Sequence, residues 1–323
     1  MEHPLHYDGE RVMMKVFALQ GFDEAPEVTE VDLPTPGPGE VRVRVRAASL
    51  NRFDLSVANS YLKGMMEHRF PVVLGKDFAG EVDAVGPEVD GFQVGDRVFG
   101  VVMKDALGDG SFGEYVTVLV GFGIAKLPDG IDFTAAAGLG LAGTAAVDAF
   151  DAADVTSGST VLVVGATGGV GQQVLQLAVR AGATVIATAH SAEEVELVTR
   201  LGAAHTVDYR GDLVEQVRAL HADGVDVVLH FAGDPAPLVA VVKPGGTLVS
   251  TMLRSAEDVP AENVKVVSIY ASPSAATLDR VARHQAEKHT TVTVQRVYNL
   301  EQTGEAIEQF AAGTLGKLVI SID

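Results

Sequence analysis

Glycines that follow an apolar run are the residues of this sequence whose type and spacing point most directly to chemistry. Residues 161–164 are branched and apolar, and Gly165, Gly168 and Gly171 follow them. Such a run is typical of a strand buried on both faces. The glycines permit a tight turn and close approach to a pyrophosphate, and a helix beginning near Gly169 would aim its free N–H groups at the phosphates. A purely structural turn is the alternative, but the strand, the spacing and the helices downstream together favour dinucleotide binding.

The residues expected to contact a dinucleotide follow the strands of the same region. The pyrophosphate is expected to meet Thr167, Gly168, Gly169 and Val170. His190 and Ser191 after the second strand, and the later pair Tyr209 and Arg210, are the candidates for holding a ribose 2′-phosphate. Ligands bind at the carboxyl ends of parallel strands, so the loops after later strands complete the set with Phe231, Ala232, Gly233, Ser250, Thr251, Met252, Leu253, Ile269 and Tyr270.

The end of the second strand bears on which dinucleotide would bind. Residues 188–191 read TAHS, and the first acids come later, at Glu193 and Glu194. A carboxylate at the strand tip usually holds the ribose 2′-hydroxyl of NAD. Its absence predicts NADPH as the cofactor, with NADH as the alternative.

Composition excludes several classes of function. The 323 residues include no cysteine, which removes disulfides, thiolate metal sites and cysteine nucleophiles. A net charge of −19 disfavours nucleic acid and anionic membranes as partners. No apolar run reaches the roughly 18 residues of a membrane span. The polar, acidic start lacks the features of a signal peptide and is expected to form an arm before a strand near Met13, so the expected location is cytoplasmic.

The pattern along the chain predicts an α/β protein of two domains. Short strands with frequent glycine turns fill the first third, and residues 40–46 alternate strictly between apolar and polar types, which indicates a small, partly open β-barrel. From about residue 132, strands alternate with helices, as in a doubly wound parallel sheet. Runs at 291–297 and 318–320 could return to the barrel. The expected domains are therefore 1–132 with 289–323, and 133–288.

Several stretches in this order resemble the medium-chain dehydrogenase/reductase superfamily, in particular its zinc-free quinone oxidoreductase (zeta-crystallin-like) branch. They are LGKDFAGEVDAVG at 74–86, FQVGDRV at 92–98, GEY at 113–115, GATGGVG at 165–171 and GKLV at 316–319. The resemblance implies a GroES-like barrel as substrate domain, a Rossmann domain for the cofactor, a cleft between them, and a homodimer.

The resemblance also implies what chemistry the cleft performs. Zinc enzymes of the superfamily carry a cysteine on the early helix and a Gly-His-Glu motif, where this chain has Asn51 and Gly75-Lys76-Asp77. Zinc is therefore not expected. The implied activity is hydride transfer from NADPH to a small quinone or α,β-unsaturated carbonyl (enone). The alternatives are an enoyl-thioester reductase and a non-catalytic NADPH-binding protein of crystallin-like or regulatory type.

Four residues match polar positions near the nicotinamide of zinc-free relatives: Asn51, Asp54, Tyr61 and Thr144. Each also has a purely structural interpretation. Asn51 could cap a helix and Asp54 could be a solvated first-turn acid. Tyr61 could be a surface residue of a mobile loop, and Thr144 could pack a helix against the sheet.

Three charged residues complete the prediction. Lys76 is expected to pair with its neighbour Asp77 rather than to stabilise an enolate. Lys317 matches the terminal Gly-Lys of the family and is expected to close the barrel. Glu194 stands where many NADP-using relatives carry a lysine, which opposes the predicted preference for NADPH.

Overall fold

A computed structural model of the chain describes residues 11–323, so the predicted arm over residues 1–10 lies outside the described residues. The strands are β1 (Met13–Leu19), β2 (Glu27–Asp32), β3 (Glu40–Ser49), β4 (Val72–Val73), β5 (Asp77–Val85), β6 (Arg97–Val101), β7 (Tyr115–Leu119), β8 (Ile124–Lys126), β9 (Thr160–Val164), β10 (Thr184–Thr188), β11 (His205–Val207), β12 (Val225–His230), β13 (Val242–Ser250), β14 (Lys265–Ser268), β15 (Val294–Asn299) and β16 (Lys317–Ser321).

The α-helices are α1 (Arg52–Ala58), α2 (Phe133–Ala137), α3 (Gly140–Ala153), α4 (Gly169–Arg180), α5 (Ala192–Arg200), α6 (Leu213–Leu220), α7 (Ala275–Ala286) and α8 (Thr303–Ala312). Short 3₁₀ helices span Ala236–Val241, Ala256–Asp258 and Leu300–Gln302. None of the helices in residues 11–323 has the length and apolar character needed to span a membrane.

The first domain is built on a strand whose alternation was visible in the sequence. Along β3, Val41, Val43 and Val45 are buried in the barrel core. Arg42 lies on the opposite face, where its Nε donates to Asp83 Oδ1 at 2.9 Å. β3 pairs antiparallel with both β5 and β7, and the sheet continues in the order β15-β16-β3-β5-β6-β8, while β1 lies between β2 and β4 in a smaller sheet. These strands form the predicted partly open barrel.

The second domain is a six-stranded sheet in the order β11-β10-β9-β12-β13-β14. Every pairing in it is parallel. The central strand β9 is buried along its whole length, which explains its unbroken apolar run. This order is that of a dinucleotide-binding sheet, and the strand order reverses between the adjacent strands β9 and β12, which form the switch point. The predicted doubly wound sheet is confirmed.

The C-terminal strands return to the first domain. β15 pairs parallel with β16, and β16 pairs antiparallel with β3 through Val319 and Ser49. From this connectivity we propose domains of 1–132 with 289–323, and 133–288.

One apolar cluster joins the two domains. It combines Phe99 and Ala79 of the barrel with Leu278 and Val281 of α7 and with Leu177 of α4. All five side chains are at least nine-tenths buried. The domains therefore share a core in addition to the cleft between them.

Candidate functional site at the domain boundary

A continuous cleft runs along the carboxyl ends of the central strands of the parallel sheet. It consists of two cavities with volumes of about 580 and 420 Å³. Both are lined by Gly165, Thr167 and Ala232 on the sheet side and by Gly313 and Thr314 on the opposite side. These shared walls make the two cavities parts of one elongated site that contacts both domains.

The glycine-rich turn forms the middle of the cleft. Gly165 has φ +82°, a conformation that favours glycine. A Cβ on Gly171 would lie 2.1 Å from the Gly165 carbonyl oxygen, so this glycine is required by the fold itself. A Cβ on Gly168 would meet only that same oxygen, at 3.5 Å. The Gly168 position is therefore open, and α4 begins directly after it with first-turn N–H groups that have no intrahelical acceptor.

The larger cavity ends at a carboxylate. Ser191 caps α5 by accepting the Glu194 amide at 3.1 Å, and the Glu194 carboxylate accepts the Ser191 amide at 3.2 Å in return. The other oxygen of Glu194 accepts the Tyr209 hydroxyl at 3.1 Å. Burial, and then the hydrogen bond to Glu194, raises the pKa of Tyr209. Arg210 supplies a positive charge to the same cavity. An acid thus lies at this end of the cleft although the strand tip itself has none.

The other predicted dinucleotide contacts separate into two groups. Besides the residues already placed, Gly169, Val170, Phe231 and Gly233 line the cleft. His190 instead lines a shallow depression outside it, with its Nδ1 2.9 Å from Asp208 Oδ1. Within residues 11–323, the remaining predicted contacts lie outside both cavities, and they are Ser250, Thr251, Met252, Leu253, Ile269 and Tyr270.

Two of these hydroxyl groups already form hydrogen bonds within the protein. Ser250 is fully buried, and its Oγ lies 2.9 Å from Nδ1 of His230. The Tyr270 hydroxyl donates to the Arg254 carbonyl oxygen at 3.1 Å. Both groups stabilise the loops that follow the outer strands of the sheet.

The smaller cavity ends at a buried polar group that we call the Lys317 cluster: Ser49, Asn51, Asp54, Asp77 and Lys317. The Lys317 ammonium donates to Asn51 Oδ1 at 2.8 Å, to the Leu50 carbonyl oxygen at 2.8 Å and to Asp77 Oδ2 at 3.3 Å. Asn51 Nδ2 donates to Asp77 Oδ2 at 2.9 Å. Of the cluster, Asn51 and Lys317 line the cavity.

Asp77 connects the cluster to the second domain. Its Oδ1 accepts the Leu141 amide of α3 at 2.7 Å, and its Oδ2 accepts the Ser49 hydroxyl at 2.8 Å. The side chain is fully buried. A buried carboxylate needs such a complete set of donors and a positive partner.

Asp54 lies beneath the cavity wall rather than in it. It is 1 % exposed, and its Oδ2 accepts the Asn51 amide at 2.7 Å, which closes a capping arrangement at the start of α1. Burial, and secondarily the negative charge of Asp77, raises the pKa of Asp54 to about 7. The carboxyl group is therefore about half protonated near neutral pH.

Tyr61 and Thr144 lie apart from the cleft. Tyr61 is 71 % exposed on the turn after α1. Thr144 is fully buried, and its hydroxyl donates to the Gly140 carbonyl oxygen at 2.8 Å within α3.

The expected pairing of Lys76 with Asp77 is wrong. Lys76 donates to the Val102 carbonyl oxygen at 2.9 Å and lies over the Phe53 ring, and burial lowers its pKa. Lys76 directly precedes β5, and consecutive side chains along an extended segment point to opposite faces, so the Lys76 and Asp77 side chains contact different partners. Lys317, from the far end of the chain, supplies the ammonium that Asp77 contacts.

Arg52 was missed by the sequence reasoning. It lines the smaller cavity together with Gly168 and Gly169. Within the part of the chain that the structure describes, no carboxylate lies at ion-pair distance from its guanidinium. Its position directly after the capping Asn51, at the start of a helix, was the available signal.

The residues of this site do not fit zinc. The cluster offers carboxamide, hydroxyl and carboxylate groups, with no thiolate or imidazole, and an ammonium already contacts Asp77. Residues 11–323 hold no group of three or more His, Asp or Glu side chains arranged to bind a metal ion. The glycine-rich turn, by contrast, fits a dinucleotide, because the Gly168 position is open and unpaired amides face it.

Comparisons with known proteins identify the family. The alcohol dehydrogenase GroES-like domain matches residues 37–129, and a family described as zinc-binding dehydrogenase matches residues 169–300. A zinc-type alcohol dehydrogenase-like protein of Schizosaccharomyces pombe is 30% identical over 315 residues, which cover 86% of this chain and 89% of that protein. The solved quinone oxidoreductase of Coxiella burnetii has a TM-score of 0.87 and 25% identity, with 97% of this chain and all of that chain covered.

A plant enzyme is more similar in sequence over a shorter region. The NADPH-dependent alkenal/one oxidoreductase of Arabidopsis thaliana, a chloroplastic protein, is 36% identical over 209 residues, or 63% of this chain. The chain spans about half the length of that relative, 53%. The chain belongs to the medium-chain dehydrogenase/reductase superfamily, and the predicted combination of a GroES-like barrel with a Rossmann domain is confirmed.

Proposed function

We propose that this protein is a zinc-independent, NADPH-dependent oxidoreductase that transfers hydride to a small quinone or enone. The observation that carries the proposal is the geometry of the cleft, in which an open glycine-rich turn leads directly to the Lys317 cluster. A dinucleotide on the turn would extend its nicotinamide end toward Asn51 and its adenosine end toward Tyr209. The names of the plant and Coxiella relatives support the same activity.

Hydrogen-bonding capacity indicates what Asn51 would do. The bound cofactor supplies the hydride; this chain's side chains orient the reactants. Asn51 Nδ2 already donates to Asp77 and, at 3.4 Å, to the Ser49 carbonyl oxygen, so both of its protons are used. Its Oδ1 accepts from Lys317 and keeps one further acceptor site. Asn51 therefore suits a ribose hydroxyl, which donates, better than a substrate carbonyl, which accepts.

The hydrogen bonds within the Lys317 cluster leave no side chain positioned as a dedicated proton donor. All three N–H groups of Lys317 are used by Leu50, Asn51 and Asp77. Asp54 is buried, does not line the cavity, and accepts the Asn51 amide through Oδ2. A reduced quinone can take its proton from water, which fits a site that orients rather than protonates. Asp54→Asn and Tyr61→Phe should both retain measurable turnover, whereas removal of an obligate acid would cost about 10²- to 10⁴-fold.

Three observations bear on the choice of cofactor. The strand tip without an acid and Arg210 in the larger cavity support NADPH. Glu194 in that cavity favours NADH as the second candidate, because its carboxylate would repel a 2′-phosphate and could accept a 2′-hydroxyl. We propose NADPH as the preferred cofactor, with NADH also accepted.

A panel of activity measurements tests the function. Oxidation of NADPH and NADH should be followed with quinones, enones and enoyl thioesters, with nicotinamide fluorescence as a separate binding measurement. Turnover with quinones or enones is expected. Turnover confined to enoyl thioesters would establish the enoyl reductase alternative, and tight binding without any turnover would indicate a crystallin-like or regulatory protein.

Zinc independence, oligomeric state and location are parts of the same proposal. Elemental analysis should find no stoichiometric zinc, and activity should persist in a chelator, since the donor set lacks thiolate and imidazole. Loss of turnover on removal of tightly bound zinc would contradict the proposal. We also propose a cytoplasmic homodimer without nucleic-acid or membrane partners, which light scattering and cell fractionation would check.

A further inference from the structure

Lys317, in the last strand of the chain, lies where the two sides of the cleft meet. Lys317 is 3 % exposed and its ammonium contacts Asn51 and Asp77 of the barrel. The residue before it, Gly316, donates its amide to the Thr167 carbonyl oxygen at 2.8 Å. Two consecutive residues thus contact the glycine-rich turn and the polar cluster at once.

The aliphatic part of Lys317 packs under the turn. A Cβ on Gly169 would lie 2.8 Å from Lys317 Cδ, and a Cβ on Gly138 would lie 3.3 Å from Lys317 Cγ. Gly169 is therefore needed because the lysine stem occupies the space where a side chain would stand. The Lys317 side chain therefore packs against the glycine-rich turn through its stem and contacts the Asn51 carboxamide through its ammonium.

We propose that Lys317 is a positioning residue for hydride transfer: its ammonium fixes the Asn51 carboxamide at the nicotinamide end of the cleft while its stem supports the glycine-rich turn. The inference rests on the proposed function and adds a residue to it. Without the ammonium, Asn51 Oδ1 loses its donor and its carboxamide can rotate. Asp77 would also become a buried carboxylate without a cation, which is destabilising.

The key variant is Lys317→Met, because methionine keeps a flexible apolar stem under Gly169 and removes only the ammonium. Loss of a charged hydrogen bond predicts a kcat about ten- to a hundredfold lower. The dissociation constant of NADPH, measured by nicotinamide fluorescence, should change less than about threefold, since the stem remains. Lys243→Met is the matched control, as it removes an ammonium that pairs with Asp226 at 2.7 Å in the second domain, away from the cleft. Its kcat should equal that of the unmodified protein.

A double variant separates positioning from a merely structural role. Lys317→Met/Asp77→Asn removes the unpaired carboxylate, so the melting temperature lost in the single variant should recover. Its kcat should stay low, because Asn51 has lost both charged partners. Recovery of kcat together with the melting temperature would overturn the proposal, as would a Lys317→Met variant with unchanged kcat or with NADPH affinity lost in proportion to kcat.

A readout that needs no turnover keeps this test separate from the proposed function. The chain has four asparagines, at positions 51, 59, 263 and 299, so selective ¹⁵N labelling gives few side-chain amide signals. The Asn51 amide signal should shift in Lys317→Met and not return in the double variant, while Lys243→Met leaves it in place. An unchanged signal in Lys317→Met would refute the positioning role even if no substrate were found.

Discussion

At the scale of single residues, the proposed choice between NADPH and NADH depends on Glu194 and Tyr209 in the larger cavity. The Glu194 carboxylate is held by the Ser191 amide and by the Tyr209 hydroxyl, so it cannot easily turn away from a bound ribose. A 2′-phosphate would approach it with like charge. This contact lies in an acidic first turn of α5, where the sequence showed two adjacent glutamates without indicating which one faces the cleft.

Glu194→Gln should shift the preference toward NADPH. Glutamine can still accept the Ser191 amide, so the helix cap survives while the negative charge is lost. The KM for NADPH is expected to fall several-fold and that for NADH to stay equal or rise, measured as the ratio of the two kcat/KM values. Glu193→Gln is the control, because Glu193 is exposed and lies outside both halves of the cleft. An unchanged ratio in Glu194→Gln would remove the carboxylate from the specificity argument.

Asp54 should make stability depend on pH near neutrality. Its pKa is about 7 in the fold, because burial and then the charge of Asp77 raise it against the hydrogen bond from the Asn51 amide and the charges of Lys317 and Lys76. This value exceeds the 3.8 of an unfolded aspartate. Between these values the folded state binds more protons, so the stability that Asp54 contributes falls as pH rises from about 4 to about 7. Asp54→Asn does not titrate, and it should gain free energy of unfolding relative to the parent between pH 5 and pH 8.

Denaturant unfolding at the two pH values measures this difference. Asp96→Asn serves as the control. A hydrogen bond from Lys126 lowers the pKa of Asp96 below 3.8, so the change in free energy of unfolding on this substitution should be equal at both pH values. If Asp54→Asn also changed the free energy of unfolding equally at both pH values, the raised pKa of Asp54 would be contradicted.

At the scale of elements, the glycines of the glycine-rich turn differ in role: one is required for folding and another for dinucleotide binding. Gly171→Ala should destabilise the protein strongly, since its Cβ would overlap the Gly165 carbonyl oxygen at 2.1 Å. Gly168→Val should leave the fold intact, as the position is open, yet abolish dinucleotide binding because its branched side chain would occupy the pyrophosphate position. Melting temperature and nicotinamide fluorescence measure the two effects. Normal NADPH affinity in Gly168→Val would place the phosphates elsewhere.

The strands and helices that sequence predicted well are those with a strong period. Residues 40–46 alternate because one face of β3 packs in the barrel, and the run at 161–164 is apolar because β9 is buried on both faces. Helix α4 begins at Gly169, as the glycine spacing predicted. By contrast, β13 begins at Val242 with a polar, glycine-containing segment. Such a segment carries no period by which a strand could be recognised.

The candidate site was predictable only where one local motif builds it. The glycine-rich turn is such a motif. The contacts of Lys317 with Asn51 and Asp77 join positions separated by 266 and 240 residues, and no local pattern encodes them. The contact of Ser250 with His230 of the neighbouring strand is likewise invisible to a local pattern.

At the scale of the whole molecule, the two domains are joined by more than a linker. Phe99 of the barrel shares a buried cluster with Leu278 and Val281 of α7. On the other side, Asp77 accepts the Leu141 amide and Gly316 holds the Thr167 carbonyl. Contacts on both sides of the cleft couple the stabilities of the two domains.

Thermal unfolding should therefore be a single transition that a dinucleotide moves as a whole. Far-UV circular dichroism reports mainly on the helices, most of which belong to the second domain. In a Tyr209→Phe/Tyr270→Phe variant the remaining tyrosines of residues 11–323, Tyr61, Tyr115 and Tyr298, all belong to the barrel domain, so the near-UV tyrosine signal reports on the barrel. Both should show one common midpoint. NADPH at a hundred times its dissociation constant adds about 2.7 kcal/mol to the free energy of unfolding. For a chain of this length, this corresponds to a rise of about 4 °C in the melting temperature. Two separate midpoints, or a rise confined to the helical signal, would mean that the shared core does not couple the barrel to the cofactor domain.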